Sequence, residues 1–118
     1  MTRHVVIVRA LGLLRDAAAA NLKLRGEEME EGEALAVLEA FVEAAARLLG
    51  LQREYLGPDH PDVGTTCLDL AEGVGSLLAR GRERLFALGL EGMGSVVEAS
   101  RAEAVLRKDF RRISEMYE

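Results

Sequence analysis

Tyr55-Leu56-Gly57-Pro58-Asp59-His60-Pro61-Asp62-Val63 is the stretch that decides the architecture. Gly57 can adopt the left-handed conformation that ends a helix. Pro58 has no backbone donor and cannot continue one. Asp59 is placed to cap a new helix, and Pro61 falls in its first turn, where a missing N–H costs nothing. Asp62, three residues after Asp59, adds negative charge near the new N-terminus, as a capping box does. Residues 57–62 therefore predict a tight joint between two helices.

The flanking sequence bears helical periodicity on both sides. Upstream, a helix is expected over about Glu33 to Leu56, with Leu35, Leu38, Val42, Ala45, Leu49 and Leu56 on one face and Phe41 and Leu48 broadening it. Ala44-Ala45-Ala46 would let a neighbouring helix approach closely. Gly50 costs about 1 kcal/mol against Ala inside a helix, and a close helix crossing would be one reason to tolerate it. Downstream, Val63, Cys67, Leu70, Val74 and Leu77 step 4-3-4-3 over a helix from about His60 to Ala79.

Toward the N-terminus, Val6, Ala10, Leu13, Ala17, Ala20 and Leu24 hold a 4-3-4-3-4 spacing over a helix from about Arg3 to Arg25, with Gly26 as its C-cap. The acidic run Glu27–Gly32 reads as a polar connection whose carboxylates suit a helix N-terminus. Toward the C-terminus, Arg80-Gly81 is a stop, a short helix is expected over about 82–88, and Gly89, Gly92 and Gly94 make a loop. A last helix, from Ser95 as N-cap to about Tyr117, carries Leu106, Phe110, Ile113 and Tyr117. The expected fold is all-α: about four long helices with short connections, packed antiparallel in one domain over 1–118.

Composition narrows the function. The chain has 118 residues, 49% hydrophobic, enough for one core and short for two. Asp and Glu number 20 against 15 Lys and Arg, and a net charge of −5 argues against non-specific nucleic-acid binding. Aromatics at 4% leave little to stack bases on. A single cysteine excludes an internal disulfide and a multi-cysteine zinc site. No apolar run reaches the roughly 20 residues of a membrane span. The Arg- and Ala-rich first twenty residues, acid-free before Asp16, have the character of a mitochondrial presequence. Their helical stripe continues to Leu24, which favours the first helix of a cytoplasmic domain instead.

The nine residues of the joint resemble the inter-repeat turn of tetratricopeptide repeats, in the variety found in kinesin light chains. Leu70-Ala71 fall where that family places an Asn-Leu-Ala-type helix face. The resemblance covers about Arg47 to Ala71 and implies stacked helix pairs that bury their apolar faces only against neighbours. It implies degenerate repeats over about 3–56 and 60–88 and a terminal helix over about 95–117. Gly81 comes about three residues later than the pattern has it, and the turn has no second copy. The terminal stretch from Ala99 to Ile113 is similar in character to the C-terminal helical part of SET-and-MYND-type lysine methyltransferases. That resemblance implies a detached, non-catalytic piece, with no catalytic domain or Cys-rich zinc module.

Candidate chemistry is sparse. His60 sits in the turn, where the resemblance gives it a role in helix-start geometry; His4 has no nearby partner in sequence. Cys67 lies on an apolar stripe and reads as a small buried hydrophobe. Gly89, Gly92 and Gly94 lack the Gly-Lys-Ser/Thr ending of a phosphate loop. Asp69 and Glu72 share a helix face that reads as solvated. Arg101, Arg107, Lys108, Arg111 and Arg112 are interleaved with acids at spacings that form i,i+4 pairs. No catalytic, cofactor-binding or metal-binding residue is assigned. The expected activity is a protein- or peptide-binding groove lined by the first helices of each pair: Arg15 and Asn21 from one, Thr66, Asp69, Glu72 and Ser76 from the other. A homodimer covering exposed apolar faces is the competing expectation.

Overall fold

The computed structural model describes residues 3–25, 30–80 and 96–118. These residues form four α-helices and contain no strand: α1 (Arg3–Arg25), α2 (Glu31–Tyr55), α3 (Pro61–Arg80) and α4 (Val96–Met116). The all-α expectation is met, with the α1 bounds as read from the sequence and the others shifted by one or two residues. Gly26, the short helix over 82–88, the glycine loop and Ser95 lie outside the described residues.

Each helix packs chiefly on the next, α1 on α2, α2 on α3 and α3 on α4. Neighbours run antiparallel. Near the joint, Leu48 and Gln52 of α2 lie beside Asp62 and Thr65 of α3, while Phe41 and Val42 meet Gly73. In the next pair Gly64 meets Ile113 and Gly75 meets Glu103.

The core lies between α2, α3 and α4. The α3 stripe is buried throughout: Val63, Cys67, Val74 and Leu77 have no exposure, and Leu70 has 4%. Leu38, Phe41, Val42, Ala45 and Leu49 meet it from α2, and Ala99, Leu106 and Ile113 from α4. Ala44 and Ala45 are buried, as close helix approach requires. Two stripe ends fall outside this core: Leu56 is 45% and Tyr117 59% exposed, because each lies beyond the last turn of its helix.

The close crossing is not at Gly50. A Cβ there would meet nothing within 4 Å, and the residue is exposed. The intimate contact is at Gly73, where a Cβ would stand 2.7 Å from Val42 Cγ2 and 3.0 Å from two ring carbons of Phe41.

The expected stripe of α1 also points the other way. Ala10, Ala17 and Ala20 are exposed and Leu13 is 65% exposed, whereas Val8, Leu11, Gly12 and Arg15 are half-buried. α1 has enough Ala, Leu and Val for two apolar faces, and its second face is the one laid on α2.

The joint is built on His60 rather than Asp59. Gly57 has φ +93°, and the His60 N–H donates to its carbonyl at 3.3 Å. The His60 carbonyl accepts from the N–H groups of Val63 and Gly64, and its Nδ1 accepts from the Asp62 N–H at 3.1 Å. His60 thus caps α3 with both backbone and ring, directly before Pro61. Asp59, one residue too early for that task, pairs with Arg112 of α4.

Candidate functional site

Three of the six expected groove residues meet across α1 and α3. The Arg15 guanidinium donates from Nη1 to Thr66 Oγ1 at 3.2 Å, across 51 residues of sequence, and stands 3.6 Å from the Asp69 carboxylate. It also pairs with Asp16 at 3.1 Å on its own helix. The Arg15 side chain is only 16% exposed, held between the helices by these bonds. Thr66 has no exposure; its hydroxyl positions Arg15 and is not offered at the surface. Glu72 and Ser76 are exposed further along α3. Asn21 lies on α1, and its side chain is outside the described residues.

Burial raises the Asp69 pKa above its usual range. Arg15 opposes the rise, while Glu72 and Asp16 reinforce it. The physical picture is a patch of surplus negative charge held around one guanidinium, partly withdrawn from water.

Beside this cluster lies an open recess of about 280 Å³ between α1, α2 and α3. Val8, Gly12 and Leu48 give it an apolar wall; Arg15, Gln52, Asp62 and Thr65 give it polar groups. Gln52 is only 6% exposed, and its Oε1 has no hydrogen-bond partner among the described residues. A buried acceptor without a donor is costly and uncommon. Sequence reading passed over Gln52, yet its place three residues after Leu49 and four after Leu48 put a polar side chain on the buried stripe of α2.

A second recess, of about 240 Å³, opens where α3 begins and α4 ends, lined mainly by Pro61, Phe110, Ile113 and Tyr117. It offers apolar surface. Nearby, Arg53 of α2 reaches Asp109 of α4 at 3.2 Å and Cys67 Sγ at 3.8 Å, tying three helices together. Cys67 is fully buried, and burial pushes its thiol pKa up against the pull of Arg53, which leaves it a poor nucleophile. Of the basic cluster on α4, Arg107 forms an i,i+4 pair with Glu103 at 3.1 Å, and Arg112 goes instead to Asp59. Among the described residues, no group of three His, Cys, Asp or Glu side chains is placed to hold a metal ion, and no helix is long and apolar enough to cross a membrane.

Comparison with protein-family models, with curated proteins and with solved structures finds no match in any of the three.

Proposed function

We propose that the chain is a non-catalytic protein-interaction domain, a degenerate stack of helix pairs of tetratricopeptide type, and that it receives a peptide segment over α1 and α3. The supporting observation is the half-buried Arg15–Thr66–Asp69 contact next to a recess that contains a Gln52 acceptor with no partner among the described residues. A guanidinium held by Thr66, Asp69 and Asp16 is pre-organised to donate to a peptide carbonyl, which lowers the ordering cost of binding. The apolar wall suits an aliphatic side chain, and Asp69, Glu72 and Ser76 offer hydrogen-bond partners along the same face. Thr66 acts through Arg15.

The test is selection from a displayed library of random peptides, followed by calorimetric titration of the peptides recovered. Arg15→Ala and Asp69→Ala should each weaken binding at least about tenfold, or about 1.4 kcal/mol. Peptides that bind both variants as well as the parent would place the ligand surface elsewhere. S-adenosylmethionine should leave the melting temperature unchanged; stabilisation by it would favour an enzyme component instead.

A further inference from the structure

α1 presents two faces, and α2 covers one. The 4-3-4-3 spacing of the other is a heptad, with Ala10 and Ala17 at a and Leu13 and Ala20 at d. In that numbering Val8, Leu11, Gly12 and Arg15 occupy b, c and f, and these are the half-buried positions. The a and d positions face away from the fold, with Leu13 65% exposed. At the flanking e positions Ile7 is 47% and Leu14 51% exposed. An outer helix whose seam is apolar in both directions is unusual on a monomer.

We infer that this seam pairs α1 with α1 of a second copy of the chain, antiparallel about a two-fold axis. A two-fold interface must be complementary to itself, and this face meets that condition in three ways. Setting Ala10 opposite Leu13 of the second copy places small against large, and the axis generates the reciprocal layer. The same register places the exposed Arg9 opposite Asp16 of the second copy, and Asp16 opposite its Arg9, so unlike charges flank the seam twice. It also sets Ile7 against Leu14 of the second copy, apolar against apolar. A parallel pair would bring Arg9 against Leu14 and leave the charges unmatched. Among these positions α1 brings one Arg and one Asp per chain, so the overall charge of −5 is not concentrated where the copies meet. At 1.5 Å per residue, α1 is roughly 35 Å long, which places the interface toward the small end of specific ones. The association is therefore weak and concentration-dependent. It adjoins the peptide site, because Asp16 also pairs with Arg15; Leu13→Glu and Arg9→Asp leave that pair in place and test the seam alone.

Sedimentation equilibrium tests this on the full chain between roughly 1 and 300 µM, the range that suits a small interface. The mass should rise toward twice the 12.8 kDa of one chain. Leu13→Glu should weaken association at least about tenfold, with unchanged helical circular dichroism because the site is solvent-facing. Arg9→Asp and Asp16→Arg should each weaken it similarly, and the double variant should recover most of the loss, because the swap restores unlike charges across the axis. A monomer at the highest concentration, a dimer indifferent to Leu13→Glu, or a double variant no better than either single one would overturn the inference. Peptide binding in a strict monomer would overturn the dimer and leave the peptide site standing.

Discussion

The same substitution, glycine to alanine, should have opposite effects at two positions of the stack. At Gly50 the added methyl meets nothing within 4 Å, so the only change is the removal of glycine's helix penalty, a gain of about 1 kcal/mol. At Gly73 the same gain competes with overpacking. The new Cβ would fall 2.7 Å from Val42 Cγ2 and 3.0 Å from the Phe41 ring. Val42 has no exposure and Phe41 only 8%, so neither side chain can swing into solvent to make room. Forcing a methyl group into a filled core costs about 1–3 kcal/mol, which leaves Gly73→Ala about 0–2 kcal/mol less stable than the parent after the propensity gain. The shared propensity gain cancels, so the two variants should differ by the overpacking cost, about 1–3 kcal/mol. At about 4 °C per kcal/mol for a domain near this size, their melting temperatures should lie roughly 4–12 °C apart, with Gly50→Ala above the parent and Gly73→Ala at or below it. Thermal denaturation followed by circular dichroism, at one fixed protein concentration, reads both. If Gly73→Ala melted as high as Gly50→Ala, α2 and α3 would not cross where their contacts place them.

Three further outcomes follow from named contacts. Because folding raises the Asp69 pKa above 3.8, the folded state binds protons more tightly there, and this group's contribution to stability is present below 3.8 and lost as pH rises through the raised value; carboxyl NMR titration should find the midpoint above 3.8, higher still in Arg15→Ala and lower in Glu72→Gln. Gly57→Ala imposes a left-handed conformation on an L side chain and should destabilise by about 1 kcal/mol in chemical denaturation, because φ is +93° there. Gln52→Met removes an acceptor with no donor among the described residues while conserving volume, so it should raise stability by about 1 kcal/mol in the same assay; a loss of similar size would mean that Oε1 is satisfied in solution.

How far the sequence could be read depended on how many solutions each pattern allowed. The α3 stripe had one: a 4-3-4-3 row of Val, Cys and Leu, with Asp62, Asp69, Glu72 and Ser76 excluded from the core by their charge or polarity. On α1 the pattern was just as regular but the helix was apolar around most of its circumference. Periodicity detected a seam there without saying which seam faced α2. The two glycines posed a similar problem. Gly50 and Gly73 have the same intrinsic cost, and only the crossing geometry separates them. At the joint the turn itself was legible from Gly57, Pro58 and Pro61, but the choice between Asp59 and His60 as cap depended on where the first helical turn began. The candidate site was half legible: Arg15, Thr66 and Asp69 meet, whereas the long-range pairs Arg53–Asp109 and Arg112–Asp59 depend on helix packing that no local pattern encodes.

The order of packing, each helix chiefly on its chain neighbour, gives the molecule the mechanics of a short ladder. The middle rungs, α2 and α3, are gripped from both sides, and α1, which contributes no fully buried residue among those described, is gripped by one. Such a ladder loosens from its ends. Amide protons should exchange fastest along α1 and slowest around Val42 and Val74, and pulling on the amino terminus should peel off one rod before the remainder gives way.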